Sequence, residues 1–177
     1  MKPNPQGWFS GVRRIASPNF DARPKCTPVC LLVIHSISLP PNEFGGKGVE
    51  QLFTNTLNSQ DHPYYAQLHG VKVSSHFFIR RSGEIIQYVS CLQRAWHAGA
   101  SQWRNRTRCN DFSIGIELEG SDFVLFTDAQ YQSLAYLTRH LKRAYPICDI
   151  TGHSDIAPER KTDPGPHFDW QRYLDRL

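Results

Sequence analysis

Thr151-Gly-His-Ser-Asp-Ile-Ala-Pro-Glu-Arg-Lys-Thr-Asp-Pro-Gly-Pro166 concentrates reactive side chains on a backbone that prolines constrain. The prolines and glycines predict a loop. His153 and Asp163 offer an imidazole nitrogen and a carboxylate oxygen, which are ligand types that zinc accepts, and Lys161 stands two residues before the carboxylate. The stretch therefore predicts an active-site loop that supplies two ligands of a metal ion. A solvated charged loop is the alternative.

A third ligand is expected from His35, which follows the apolar run Leu31-Leu-Val-Ile34. Such a continuous apolar run predicts a strand covered on both faces, so His35 should emerge at its carboxyl end. Two histidines and one aspartate, with a fourth position left for water, are typical of a catalytic zinc, whereas structural zinc sites are usually closed by four ligands. Each histidine alone is more often a hydrogen-bonded or surface residue, so the hypothesis depends on the three together.

Length and composition favour a single domain spanning residues 1–177, which is large enough to bury a core without a metal or disulfides. No run approaches the length of a transmembrane helix, and the amino terminus lacks the apolar core of a secretory signal, so we expect a cytoplasmic protein that does not bind membranes. The net charge of +4 is too small to indicate nucleic-acid binding. The cysteines show no paired spacing and are expected to be reduced: Cys26, Cys30, Cys91, Cys109 and Cys148.

Hydrophobic periodicity predicts the remaining elements. Residues 1–30 read as an arm laid over the domain, with Trp8, Phe9 and Ile15 as anchors. The other predicted elements are a helix over 49–57, a hairpin of strands 76–80 and 84–89, a strand over 113–119, a helix over 128–145 with a capping box at Thr127, and a helix over 170–177.

Further candidate site residues lie in the middle of the chain. In the strand 113–119, Gly115, Glu117 and Glu119 alternate with apolar residues, so either glutamate becomes a candidate general base if that face lines a cleft. Trp96 and His97 suit contact with a sugar or peptide face, with core packing as the alternative for the tryptophan. His76 could line the same cleft, although a hydrogen-bonded core histidine is the favoured interpretation. The basic cluster Arg104, Arg106 and Arg108 either holds an anionic group or only solubilises a loop.

Four motifs together resemble the zinc-dependent N-acetylmuramoyl-L-alanine amidases, a family similar to a phage lysozyme and to the peptidoglycan recognition proteins. They are Leu31-Leu-Val-Ile-His35, Ala95-Trp-His-Ala-Gly99, Asn110-Asp-Phe-Ser-Ile-Gly-Ile-Glu-Leu-Glu-Gly120 and Gly152-His-Ser-Asp-Ile-Ala-Pro-Glu-Arg-Lys-Thr-Asp-Pro-Gly165. The resemblance extends from about Trp8 to Trp170. It implies a mixed α/β fold with a central β-sheet flanked by helices.

The resemblance also implies residue roles. It places the zinc ligands at His35, His153 and Asp163, the catalytic carboxylate at Glu117 rather than Glu119, and the assisting lysine at Lys161. By the same resemblance, Arg108 meets a carboxylate of a peptide stem and the backbone at Ala157 helps to hold that stem.

The implied reaction is hydrolysis of the amide between 1,6-anhydro-N-acetylmuramic acid and L-alanine in muropeptides, during peptidoglycan recycling. We expect the protein to be a monomer. Two rival interpretations remain: an amidase that lyses intact peptidoglycan, and a module that binds peptidoglycan without cleaving it. The complete metal-ligand set favours an enzyme over the binding module.

Overall fold

A six-stranded mixed β-sheet lies at the centre of the computed structural model, which describes all residues from Met1 to Leu177. The strands are β1 (Arg13–Arg14), β2 (Phe20–Ala22), β3 (Leu31–Ile37), β4 (Phe77–Ile79), β5 (Ile85–Gln87), β6 (Gln93–Ala95), β7 (Gln102–Trp103), β8 (Arg106–Thr107), β9 (Ser113–Glu119) and β10 (Asp149–Gly152). The helices are α1 (Gly48–Phe53), α2 (Asp128–Ala144), α3 (His153–Ile156) and α4 (Trp170–Leu174), and short 3-10 helices span Pro63–Leu68 and Cys109–Asp111. The predicted mixed α/β fold is confirmed.

The order of strands in the central sheet is β1-β5-β4-β9-β3-β10. Strands β4, β9, β3 and β10 run parallel to one another, so their carboxyl ends meet at one edge of the sheet. The longest pairing joins β3 to β9 from Leu31 opposite Ser113 to Ile37 opposite Glu119, and it sets His35 directly beside Glu117. The carboxyl edge of parallel strands is where open α/β sheets usually bind ligands.

The core explains why β3 is apolar throughout. Leu32 and Ile34 belong to a cluster with the buried face of α2, whereas Leu31 and Val33 pack on the other side of the sheet near Ile156. All four side chains are almost completely buried. The prediction that both faces of this strand are covered is therefore confirmed.

Helix α2 begins as the sequence predicts. The Thr127 hydroxyl accepts a hydrogen bond from the Gln130 amide at 3.1 Å, and the Gln130 side chain accepts one from the Thr127 amide at 3.1 Å. This reciprocal capping box satisfies two amides that the first turn leaves without helical partners. The predicted hairpin is also present, since β4 pairs antiparallel with β5 from Phe77 opposite Gln87 to Ile79 opposite Ile85.

Several predicted boundaries are wrong. His35 does not end its strand, because pairing with β9 continues β3 as far as Ile37. The stretch 151–166 is not a loop throughout: Thr151 and Gly152 end β10, and α3 begins at His153. The Asp155 carboxylate accepts hydrogen bonds from the Gly152 amide and the Thr151 hydroxyl, both at 2.7 Å, and so stabilises this abrupt start. Helices α1 and α4 are shorter than predicted.

The amino-terminal arm takes part in sheet pairing instead of only lying over the domain. Its strand β1 extends the central sheet beside β5, and β2 pairs with β6. Phe9 is buried, as predicted for an anchor, whereas Trp8 and Ile15 are partly buried. All five cysteines are free, and none of the helices combines the length and apolar character needed to cross a membrane.

Candidate active site

The three predicted metal ligands meet at the carboxyl edge of the sheet. His35 comes from β3, His153 is the first residue of α3 directly after β10, and Asp163 lies on the loop that follows. The distances are 2.9 Å between the two Nδ1 atoms, 3.1 Å from His35 Nδ1 to Asp163 Oδ2, and 3.0 Å from His153 Nδ1 to Asp163 Oδ2. Both histidines are buried and the aspartate is partly buried.

Hydrogen bonds alone do not satisfy this triangle of atoms. An ionised carboxylate only accepts, so both histidines would have to donate to Asp163 from Nδ1. Two N–H groups would then face each other across 2.9 Å. In addition, His153 Nε2 lies 3.2 Å from the carbonyl oxygen of Ala98, which calls for the proton on Nε2 and leaves a lone pair on Nδ1. A cation between three lone pairs removes the conflict, so the residues present fit a divalent metal ion.

The electrostatic environment supports the same protonation pattern. Burial lowers the pKa of His35 to about 4, so its imidazole is neutral near pH 7 and can offer a lone pair. Burial acts to raise the pKa of Asp163, but the adjacent imidazoles of His153 and His35 outweigh it and hold that pKa well below its usual range. Asp163 is therefore the one negatively charged ligand of the set, which suits a dication.

The structure separates the two candidate glutamates. Glu119 is engaged: its Oε1 accepts a hydrogen bond from the Gly45 amide at 2.5 Å and its Oε2 one from the Arg81 amide at 2.9 Å. Glu117 Oε2 is buried without a hydrogen-bond partner, and its Oε1 lies 3.9 Å from His35 Nδ1. Glu119 therefore holds two loops in place, whereas Glu117 is an unpartnered carboxylate beside the metal ligands.

The surroundings of Glu117 favour proton uptake. Burial, followed by the nearby charge of Asp163, raises the pKa of Glu117 well above its usual value, and the positive charge of Lys161 opposes this shift. Lys161 forms no ion pair of its own and lines the cleft beside the ligands. A carboxyl group whose pKa is raised above its usual value is suited to general acid–base chemistry.

An open cleft of about 440 Å³ adjoins Asp163 and Lys161. The carboxyl end of β3, the short helix Pro63–Leu68 and the neighbouring loops form its walls, with these lining residues: Ser36, Ile37, Ser38, Pro41, Asn42, Tyr64, Gly120, Ser121, Asp122, Phe123, Arg160, Lys161, Thr162 and Asp163. Sequence reasoning missed the aromatic residues Tyr64 and Phe123. The available signal in the sequence was an aromatic residue in the polar stretch after the strand that contains Glu117. In the structure Phe123 is 77% exposed.

The predicted substrate-binding residues Trp96, His97, Arg108 and Ala157 are not among the residues that line this cleft, and their settings differ. The Arg108 side chain is 68% exposed, and its Nε pairs with Asp111 Oδ2 at 3.2 Å. Ala157 is buried, and its carbonyl accepts the amides of Arg160 and Lys161, both at 3.0 Å, so its backbone shapes the loop that carries Lys161. Their contacts with a substrate, and that of the partly buried Trp96, stay predictions.

Three further residues answer questions that the sequence left open. His97 lies against His35, with its Nδ1 at 2.9 Å from His35 Nε2. His76 is a buried core histidine whose Nδ1 accepts the Gly115 amide at 3.0 Å, which is the favoured interpretation of this residue. In the basic cluster, Arg104 pairs with Asp149 at 2.8 Å.

The fold and this site are those of an amidase. The sequence profile of the N-acetylmuramoyl-L-alanine amidases matches residues 25–166, and the chain belongs to that family. The chain is 58% identical over 170 residues to the 1,6-anhydro-N-acetylmuramyl-L-alanine amidase AmpD of Escherichia coli strain K12, covering 95% of this chain and 93% of that protein.

Solved structures give the same result. A crystal structure of a selenomethionine AmpD derivative superposes with a TM-score of 0.95 at 52% identity and covers 100% of this chain and 99% of that one. The Escherichia coli amidase AmiD in complex with the substrate anhydro-N-acetylmuramic acid-L-Ala-D-γ-Glu-L-Lys superposes with a TM-score of 0.59 at 34% identity, covering 98% of this chain and 65% of that chain.

Proposed function

We propose that this amidase hydrolyses the amide between the lactyl group of 1,6-anhydro-N-acetylmuramic acid and L-alanine, and that it does so as a cytoplasmic monomer during peptidoglycan recycling. The observation that carries the proposal is the set of His35, His153 and Asp163 beside the unpartnered carboxylate of Glu117, at the edge of an open cleft. The names of the relatives, which refer to 1,6-anhydro-muramyl substrates, support this choice of substrate.

We infer that the metal held by the three ligands is zinc, since two imidazoles and one carboxylate form a donor set that zinc favours in catalytic sites. When bound in such a site, zinc polarises a carbonyl oxygen and brings the pKa of a coordinated water to about 7. Three protein ligands are one fewer than a four-coordinate zinc ion takes, so a fourth position would be left for water or substrate, which is a feature of catalytic sites.

Glu117 is assigned the proton transfers. Its carboxylate has no hydrogen-bond partner within the protein and is therefore available to accept a proton from the attacking water and to deliver it to the nitrogen of the leaving L-alanine. The raised pKa of Glu117 makes its carboxylate a stronger base than an exposed glutamate. The neighbouring strand fixes its position, because Glu117 is paired with His35 in the β3–β9 register.

We assign Lys161 and Arg108 to two negative charges: one that develops during the reaction and one that the peptide stem carries. Lys161 lines the cleft and has no ion-pair partner, so its ammonium group can stabilise the oxyanion that develops on the scissile carbonyl. Arg108, with an exposed guanidinium, would receive a carboxylate of the peptide stem. The backbone around Ala157 and the side chain of Trp96 complete the proposed substrate contacts.

Product analysis by mass spectrometry tests the proposal. Zinc-loaded protein is incubated with 1,6-anhydro-N-acetylmuramoyl-tripeptide and, in parallel, with intact peptidoglycan, and an Asp163→Ala variant serves as the matched control. We expect free tripeptide from the soluble substrate with wild type alone. Cleavage restricted to intact peptidoglycan would identify a lytic amidase, and cleavage of neither substrate would leave a binding module.

A further inference from the structure

The segment 97–98 lies directly behind both histidine ligands. The Asn110 Oδ1 accepts the amides of His97 and Ala98 at 3.2 and 2.8 Å and fixes the path of the backbone. From this anchored segment the Ala98 carbonyl receives His153 Nε2 at 3.2 Å, and the His97 side chain reaches His35. This short segment therefore contacts Nε2 of both histidine ligands, which is the ring nitrogen that faces away from the metal site.

The His97 ring occupies a space that only glycine leaves open. A Cβ atom added at Gly115 in β9 would lie 2.5 Å from His97 Cγ and 2.6 Å from its Nδ1. Real Cβ atoms do not approach that closely, so any side chain at Gly115 would displace the ring. The ring meets His35 edge-on, with centroids 5.0 Å apart and planes at 88°.

The hydrogen-bond partners of His97 determine which of its ring nitrogens carries the proton. For His35 to present a lone pair from Nδ1, its proton must sit on Nε2, 2.9 Å from His97 Nδ1. His97 Nδ1 then accepts, and the His97 proton sits on Nε2, which lies 3.2 Å from the Ser113 hydroxyl oxygen. Ser113 and Gly115 are alternate residues of β9, so one strand supports both the position and the tautomer of His97.

We propose that His97 is a positioning residue that fixes the tautomer and orientation of His35 as a metal ligand, and does not contact the substrate. The inference rests on the metal centre of the proposed function. It replaces the expectation from sequence that His97 meets a sugar or peptide, since both ring nitrogens already have partners inside the protein. Outer partners of ligating histidines commonly act in this way.

The test is the zinc dissociation constant, measured by competition with a chromophoric chelator. Asparagine and leucine have similar sizes, but only asparagine can place an acceptor oxygen near the position of His97 Nδ1. We expect His97→Leu to bind zinc about 10- to 100-fold more weakly than wild type. We expect His97→Asn to bind zinc with an affinity close to that of wild type. His140→Leu, at a partly exposed position of α2, should leave the zinc affinity unchanged.

Two further measurements keep the inference testable if His97→Leu folds poorly. Gly115→Ala should weaken zinc binding by displacing the ring, although it removes no polar group. Long-range proton–nitrogen NMR spectra of the zinc-loaded wild type should show the proton on Nε2 in both His35 and His97.

Zinc binding by His97→Leu equal to wild type, or a His97 proton on Nδ1, would overturn the inference. If wild type binds zinc with the expected order of variants but leaves the muropeptide intact, the proposed reaction fails while the positioning role stands. If wild type does not bind zinc, both fail.

Discussion

Exchange of each glutamate in β9 for glutamine should separate catalysis from folding. Glu117 and Glu119 lie on the same face of the strand and both are buried, yet only Glu119 has hydrogen-bond partners. We expect Glu117→Gln to abolish most turnover without loss of stability. We expect Glu119→Gln to lose stability while it retains most turnover.

The magnitudes follow from the contacts. A positioned general base typically contributes about 100- to 10,000-fold in rate, so Glu117→Gln should cost roughly 3 to 5 kcal/mol of transition-state stabilisation. Its free energy of unfolding should not fall, because Oε2 has no partner to lose and the repulsion with Asp163 disappears. In Glu119→Gln an amide NH₂ replaces one acceptor and faces a backbone N–H, which should cost about 2 kcal/mol.

The assay combines single-turnover hydrolysis of the anhydro-muropeptide with thermal unfolding and zinc content, all on the same preparations. A loss of about 2 kcal/mol corresponds to a fall in Tm of roughly 4 to 8 °C for a chain of this size. Zinc content should stay equal in both variants. Full turnover by Glu117→Gln, or a greater loss of turnover in Glu119→Gln, would refute the assignment of the base.

Three other perturbations have defined outcomes. Lys161→Met should lower kcat by about 100- to 1,000-fold with zinc still bound, and a change confined to KM would contradict its role at the oxyanion. Removing zinc with a chelator, from protein held at a free zinc concentration of about 100 times Kd, should cost about 2.7 kcal/mol, seen as a lower Tm in calorimetry. Arg94 pairs with Asp21 at 2.6 Å, and this hydrogen bond lowers the pKa of Asp21 below its ordinary value of 3.8. Because the folded pKa is depressed, the pair stabilises the chain above about pH 4, and its contribution is lost as the pH falls through the folded value. Asp21→Asn leaves the pairing of Arg94 with Asp111 intact. This variant should lower Tm by the equivalent of less than about 1 kcal/mol at neutral pH, because solvent screens the partly exposed pair, and by much less at acid pH.

Sequence patterns predicted the elements that are stabilised by contacts between residues close to one another in the chain. The capping box at Thr127 involves residues three positions apart, and the two-sided apolar run 31–34 is visible in any window that contains it. The alternation in 113–119 placed Gly115, Glu117 and Glu119 on one face, and the structure agrees, since the alternate residues Ile114, Ile116 and Leu118 belong to one core cluster.

Contacts between distant segments were outside the reach of sequence patterns. The choice between Glu117 and Glu119 depends on the amides of Gly45 and Arg81, which lie 74 and 38 residues away from Glu119 in the chain. Only the pairing register of β3 with β9 brings His35 beside Glu117. The setting of His97 likewise depends on His35, 62 residues away, and on the absence of a side chain at Gly115.

The most direct test of the proposed reaction is hydrolysis of 1,6-anhydro-N-acetylmuramoyl-tripeptide in water enriched in heavy oxygen, with mass spectrometry of both products. The proposed chemistry predicts label in the lactyl carboxyl group of the anhydro sugar, an unlabelled tripeptide with a free amino terminus, and loss of both products after chelation until zinc is restored. An intact lactyl amide, label in the peptide, or equal cleavage by the chelated protein would contradict it.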